Sequence, residues 1–170
     1  MTIPGLSPPL PVAAHHALED FACGVPSLDE WLKKRALKNH ASGASRCFVL
    51  CEGARVAGYY TLSAGAISHE AAPKAMRLNM PDPLPVLLLG RLAIDERHHN
   101  RGLGGALLRD AMLRAVCISG DAGVSAILLH TISEPAKRFY LSRGFCQSPL
   151  QPMTLLMTLA TVRAILAEPD

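Results

Sequence analysis

A chain of 170 residues is the length of one domain, and with 49% hydrophobic residues it can bury an ordinary core, which excludes wholesale disorder. A formal net charge of +3 is too mild to argue by itself for a nucleic-acid partner. The five cysteines, Cys23, Cys47, Cys51, Cys117 and Cys146, are odd in number and match no zinc spacing, so they read as small buried hydrophobes of a reducing cytoplasm.

The start, MTIPGLSPPLPVA, has neither a basic n-region nor a continuous apolar core, so no signal peptide is expected. Residues 1–14 are proline-rich and read as an extended segment. PSLDEWLKKRALKNHA then reads as a helix. Ser27 is its expected N-cap, and Glu30 completes a capping box. Leu28, Trp31, Leu32 and Ala36 form one apolar stripe at helical spacing. Off that stripe, Lys33, Lys34, Arg35 and Lys38 crowd one short segment, with Arg46 soon after. Such a basic face suits a polyanion, and a solvated helix surface equally well. RCFVLCEGARVAGYYTLSAGAIS reads as a hairpin turning at Glu52 to Ala54 around Gly53. Cys47 and Cys51 share a face of its first strand, too far apart to bridge.

Residues 69 to 85 carry prolines at 73, 81, 83 and 85. AAPKAMRL is read as a short helix and NMPDPLP as a loop. VLLLGRLAID is apolar almost throughout, as a strand buried on both faces is. The apolar run from Leu84 to Ile94 is broken by Gly90 and Arg91 and is too short to span a membrane. Residues 103 to 118 read as a helix, with Leu103, Leu107, Leu108, Ala111, Met112 and Ala115 on one face. VSAILLHTI is another buried strand. SEPAKRFYLSRG is a short helix with Pro135 near its start and Gly144 as its stop. FCQSP and MTLLMTLATVRAIL close the chain, the latter opening as a strand and ending as a short helix. The order is helix, hairpin, strand, helix, strand, helix, strand. It describes an α+β, or mixed α/β, single domain around one sheet, with no internal repeat.

The stretch HHNRGLGGALLRD, His98 to Asp110, is over-supplied with glycine for a packing turn. Gly102, Gly104 and Gly105 uncover backbone N–H groups where a helix begins, and Arg101 adds a full charge. Exposed amides plus the helix dipole make an anion site, and phosphate is the usual occupant. A tight structural loop is the alternative reading. A Walker P-loop needs Gly-Lys-Ser/Thr at the helix start, where this chain has Gly105, Ala106 and Leu107. A dinucleotide fingerprint needs a third glycine, which is missing here. His98 and His99 read as solvated turn residues, with no metal assigned to them.

Arg101-Gly-Leu-Gly104-Gly-Ala106 matches the R/Q-x-x-G-x-G/A signature of the GCN5-related N-acetyltransferases (GNAT), and AKRFYLSRGF, Ala136 to Phe145, resembles their late motif. From about Phe21 to Leu159 the chain resembles that family. The resemblance implies one GNAT domain over residues 1–170, with a central, mostly antiparallel sheet, a parallel splayed strand pair and flanking helices. It implies acetyl-coenzyme A as cosubstrate and no metal. Carried over, Leu92, Ala93 and Ile94 contact the acetyl and pantetheine portion. Arg101, Gly102, Leu103, Gly104, Gly105 and Ala106 wrap the pyrophosphate. Tyr140 stands near the sulfur as the general acid that protonates the departing thiolate; core packing with its hydroxyl at the surface is the other reading of this tyrosine. Many members place an Asn just before that helix, where this chain has Ser133 and Glu134, and Ser133 is taken as the replacement contact.

DFACGVPSLDEWLKKRALKNHASGASRCFVL, GYYTLSAGAI, LGRLAIDERHHNRGLGGALLRDA and RFYLSRGF are similar to one branch, the TacT- and AtaT-like acetyltransferase toxins of bacterial toxin–antitoxin pairs. That branch implies acetylation of the α-amino group of aminoacyl-tRNA, which blocks translation. It also implies a cytoplasmic homodimer with no membrane association, neutralised by a small ribbon-helix-helix antitoxin. The residues are compatible with this. A free α-amino group has a pKa of about 7.7–8.0 against about 10.4 for lysine, and an ester lowers it further, so little enzymatic base is required. No buried Glu is placed to act as one; Glu96 and Glu134 lie at loop edges. Backbone amides around Leu92 and Ala93 are positioned to polarise the thioester carbonyl. Lys33, Lys34, Arg35, Lys38, Arg46, Arg77 and Arg91 are the candidates to meet tRNA phosphates. For Arg91, which interrupts an apolar strand, a satisfied structural arginine is an equal reading. Two rival functions remain: an N-acetyltransferase of protein N-termini, lysines or a small amine, and a non-enzymatic module that binds acyl-coenzyme A.

Overall fold

The computed structural model describes residues 4–169. The first three residues of the extended segment expected over 1–14 lie outside them. Seven strands form one mixed sheet in the order β1-β2-β3-β4-β5-β7-β6. They are β1 (Leu10–Pro11), β2 (Arg46–Glu52), β3 (Arg55–Ile67), β4 (Leu84–Ile94), β5 (Ala126–His130), β6 (Cys146–Gln147) and β7 (Thr154–Thr158). Five α-helices accompany them: α1 (Pro26–Lys34), α2 (Ala36–Ser42), α3 (Leu103–Ser119), α4 (Glu134–Ser142) and α5 (Leu159–Ala167). The pairs β1–β2, β2–β3, β5–β7 and β6–β7 are antiparallel, and β4–β5 is parallel. This is a mixed α/β arrangement around one sheet with one parallel strand pair, as expected. The chain divides into two compact units, Met1–Ser63 with Gly90–Ala111, and Ala64–Leu89 with Met112–Asp170.

In the first unit the expected helix over 26–41 forms as two. Arg35 separates α1 from α2 with φ −122° and ψ −28°. Ser27 is not the N-cap and no capping box forms. Pro26, with its fixed φ and missing N–H, takes the first helical position, which leaves Val25 as a cap residue without a side-chain bond. Asp29 supplies the polar contact at this end, its Oδ1 accepting from the Cys23 amide at 2.9 Å. The apolar stripe forms as read: Leu32 and Ala36 are buried with Phe21, Val49, Val56 and Tyr59, and Leu28 and Trp31 pack against them. Phe21 meets Tyr59 edge-on at 5.5 Å, Trp31 stacks on Tyr59 at 5.9 Å, and the Tyr59 hydroxyl donates to the Leu28 carbonyl at 2.7 Å. The β2–β3 hairpin turns around Gly53, at φ +62°, as expected, and carries a bulge between Leu50 and Cys51. Tyr60, fully buried, donates to the Asp110 carboxylate.

In the second unit the short helix read into AAPKAMRL is two 3₁₀ turns, His69–Ala71 and Lys74–Met76, on either side of Pro73, whose missing N–H stops a continuous helix. β4 begins at Leu84, earlier than the apolar stretch suggested, and the carbonyl of its Pro85 accepts from both the amide and the hydroxyl of Ser125 at 2.9 Å. Ile67, Leu84, Val86, Leu128 and Leu156 build this unit's core. The parallel register runs Val86↔Ala126, Leu87↔Ile127 and Leu88↔Leu128. From Gly90 onward β4 is not buried on both faces as expected: Gly90 is exposed, and Arg91, Leu92 and Ile94 are half-buried.

The apolar face read on α3 is buried at all six positions. The closing segment is β7 followed by α5, with the Thr158 hydroxyl accepting from the Thr161 amide at the helix start. Cys23, Cys47 and Cys51 are buried as expected, whereas Cys117 and Cys146 reach the surface: Cys117 sits off the apolar face of α3, and β6, which carries Cys146, is exposed at both of its residues. Among the described residues, no helix is long and apolar enough to cross a membrane.

Candidate active site

The first unit carries the glycine turn. β4 ends at Ile94, a 3₁₀ turn covers Glu96–His98, and α3 starts at Leu103. Asn100 and Gly102 take positive φ, +62° and +76°, which aims the chain into the helix. A Cβ built at Gly102 meets nothing within 4 Å, so the turn is open on that side and glycine is needed for its backbone conformation. The first intrahelical bond here runs from the Ala106 amide to the Gly102 carbonyl at 3.2 Å. The amides preceding Ala106 belong to a helix start, where N–H groups have no partner inside the helix. Arg101 is exposed, and its Nη1 donates to His98 Nδ1 at 2.9 Å. Guanidinium has only donors, so His98 Nδ1 accepts and the proton sits on Nε2. His98 is therefore not a solvated turn residue: it is 5% exposed and steadies Arg101. His99 is exposed, and its Nε2–H donates to the Ile94 carbonyl at 2.7 Å.

Beneath this turn lies Asp95, 1% exposed. Its Oδ2 accepts from the Ala22 amide at 3.1 Å, and its Oδ1 from the Arg97 amide and Arg97 Nε, both at 2.9 Å. Burial alone would raise its pKa; the hydrogen bonds from the Arg97 side chain and from the Arg97 and Ala22 amides outweigh that and hold it at about 2. The Glu96 amide bonds the Ala22 carbonyl at 2.8 Å, so the base of the turn is tied to the N-terminal segment on both sides of Ala22.

On β4, Ala93 is buried, while Leu92 and Ile94 are partly accessible. The Arg91 guanidinium lies 4.2 Å over the Trp31 ring, a cation–π contact. Burial pushes its pKa below the ordinary arginine value. Lys33, Lys34, Arg35 and Lys38 all lie exposed on α1, α2 and the break between them. Lys34 makes only an exposed pair with Glu30 at 3.6 Å, and Arg46 Nη1 donates to the His40 carbonyl at 2.5 Å. Arg101 is a further exposed cation of the same unit. Arg77 belongs to the second unit, where its Nε and Nη2 donate to the Ala72 carbonyl at 2.9 and 2.7 Å, a structural bond that ties down the segment before β4.

The second unit carries Tyr140 on α4. The ring is 8% exposed and packs edge-on against Phe139 at 5.0 Å and Phe145 at 5.6 Å. Burial raises its pKa well above the ordinary tyrosine value, so the phenol is protonated at neutral pH. The Ser133 hydroxyl is committed to capping α4, accepting from the Ala136 amide at 3.2 Å. A cavity of about 260 Å³ opens in the same unit, lined by Ile67, Val86, Leu88, Leu128, His130 and Gln151 among others. Sequence reasoning passed over His130. The one available signal was a polar residue ending the apolar run AILL.

Residues 43–147 match the acetyltransferase (GNAT) domain family. The chain is 44% identical over 164 residues to a tRNA-acetylating toxin of Mycobacterium tuberculosis, covering 96% of this chain and 99% of that protein. Among solved structures it resembles AtaT complexed with acetyl-methionyl-tRNAfMet, with a TM-score of 0.88, 26% identity, and coverage of 95% of this chain and 99% of the other. It also resembles AtaTR bound with acetyl-coenzyme A, with a TM-score of 0.83, 26% identity, and coverage of 97% and 100%.

Proposed function

Because the chain belongs to the GNAT acetyltransferase family, and is thereby an N-acetyltransferase, we propose that it moves an acetyl group from acetyl-coenzyme A to the α-amino group of aminoacyl-tRNA. The observation that carries the donor half is the open glycine turn, with Arg101 braced by His98 at the start of α3. It fits a pyrophosphate: uncovered amides, a helix N-terminus and one full positive charge converge there. The acceptor half is supported by the likeness to the tRNA-acetylating toxin over nearly its whole length, and by the exposed basic surface of α1 and α2.

Acetyl-coenzyme A, when bound, supplies a thioester activated toward amines. The residues around it have separate tasks. Arg101 through Ala106 hold the pyrophosphate, and Leu92, Ala93 and Ile94 lie along the pantetheine arm. Backbone amides near Leu92 and Ala93 stabilise charge on the carbonyl oxygen. Tyr140, kept protonated by burial, gives its proton to the leaving sulfur. Ser133, already engaged as a helix cap, contributes at most a second bond to the coenzyme. Residues 1–170 act as one domain in this reading. The protein works as a cytoplasmic dimer restrained by a ribbon-helix-helix antitoxin.

The test offers charged tRNA, peptides and polyamines together with labelled acetyl-coenzyme A. Label is expected on the α-amino group of the aminoacyl-tRNA. Label found only on a peptide or a small amine would replace this reading with the other acetyltransferase one. Coenzyme binding without turnover on any acceptor would leave a sensor module.

A further inference from the structure

We propose that the cavity at the end of the β4–β5 pair holds the aminoacyl group of the acceptor, and that His130 takes the proton its α-amino nitrogen loses. The proposal rests on aminoacyl-tRNA being the acceptor, as argued above. Leu88 and Leu128, the last residues in the parallel register, both line the cavity. His130 follows Leu128 by two positions, which puts it on the same face of β5. Ile67, Val86, Leu88 and Leu128, with the methyl groups of Ala66 and Ala71, form the apolar part. None of the lining residues carries a carboxylate, ammonium or guanidinium group. At about 260 Å³ the cavity is smaller than sites for drug-sized ligands, which run from about 300 to 1,000 Å³. That size suits one amino acid, and the uncharged lining penalises a charged side chain, which would enter without a partner.

The hydrogen-bond chain behind His130 sets its protonation pattern. Thr154, its cross-strand partner, is 4% exposed, and its hydroxyl donates to Gln151 Oε1 at 3.1 Å. The Thr154 oxygen therefore accepts from His130 Nδ1–H at 2.8 Å. In the neutral ring the lone pair is then on Nε2, and His130 itself is exposed. In the transfer step the amine nitrogen bonds the carbonyl carbon and the carbon–sulfur bond breaks. The proton leaving the nitrogen goes to His130 Nε2, and the Tyr140 phenol proton goes to sulfur. Exchange with water afterwards restores both side chains, so the net products are the acetylated amine and the free thiol.

Single-turnover transfer to a panel of charged tRNAs, with the full chain, tests this. Wild type should label uncharged aminoacyl groups at least tenfold faster than lysyl or glutamyl groups. Label on a peptide or small amine in place of tRNA overturns the acceptor reading and the pocket with it, whatever His130 does. Given tRNA labelling, His130→Ala should slow transfer by about 100-fold, at the low end for general bases, with acetyl-coenzyme A affinity and melting temperature unchanged. Added imidazole should restore at least a tenth of the lost rate. A variant within threefold of wild type, or a slow variant that imidazole does not rescue, overturns the base role. Ala66→Leu, at the cavity's rim, should restrict acceptance to small aminoacyl groups; an unchanged amino-acid profile, or equal rates for charged and uncharged groups, overturns the pocket.

Discussion

Replacing Asp95 with Asn removes a buried charge that holds the base of the glycine turn. The carboxylate accepts from the amides of Ala22 and Arg97 and from the Arg97 side chain, and its pKa falls from 3.8 to about 2. At about 1.36 kcal/mol per tenfold change in proton affinity, that drop corresponds to about 2.5 kcal/mol of folding free energy. Arg97 is 44% exposed, so water screens part of its share, and the two amides carry more of the rest. The sign follows from the depressed value. The contribution is complete above the ordinary carboxylate range and is lost as pH falls through about 2. Urea unfolding of wild type and Asp95→Asn from pH 7 to pH 2.5 measures it. With that screening, the variant should be about 1–2 kcal/mol less stable at pH 7, with the gap closing below about pH 4. A gap that stays constant over this range, or is below about 0.5 kcal/mol at neutral pH, would refute the assignment of the stabilisation to this charge. Because Glu96 and Asp95 tie the turn to Ala22, acetyl-coenzyme A should also bind the variant more weakly.

Arg101→Ala should weaken acetyl-coenzyme A binding about 10- to 100-fold, the usual range for one charge-assisted bond, and leave acetyl-pantetheine binding unchanged; calorimetry with both ligands separates the pyrophosphate from the arm. Tyr140→Phe should lower kcat by at least about 100-fold while the dissociation constant of acetyl-coenzyme A stays within about twofold, read by stopped-flow transfer and calorimetry. The combined Lys33→Glu, Lys34→Glu and Lys38→Glu change should raise KM for charged tRNA without altering kcat. It should also flatten the logarithmic salt dependence by about 0.7–0.9 for each phosphate that is no longer neutralised.

The elements were legible where periodicity carried them. The stripe of Leu28, Trp31, Leu32 and Ala36 and the α3 face are local patterns; the α3 face is buried at every position read, and in the stripe Leu32 and Ala36 are buried with Leu28 and Trp31 packed against them. The glycine turn was legible because its chemistry is contiguous from Arg101 to Ala106. What escaped depends on partners distant in the chain. Asp95 has an aspartate's ordinary place ahead of a turn, and its partner Ala22 lies 73 positions away. His98 escaped for a different reason: its partner Arg101 is only three residues on, but the residue types alone do not show that the guanidinium folds back onto the ring. His130 acquires its tautomer from Thr154 and Gln151, more than twenty residues downstream. Ser27 failed as a cap for a local reason: Pro26 competes for the helix start and prevails, because a fixed φ costs nothing at a first helical position.

Trp31 is the chain's single tryptophan, and it contacts both the Tyr59 ring and the Arg91 guanidinium. That arrangement makes it an optical reporter already installed in the protein. A guanidinium against an indole alters its emission, so an anion that draws Arg91 away will register as a change in intrinsic fluorescence. Arg91 lies on the same strand as Leu92, and one unlabelled cuvette titration therefore distinguishes an arginine that is fixed scaffolding from one that answers to a ligand.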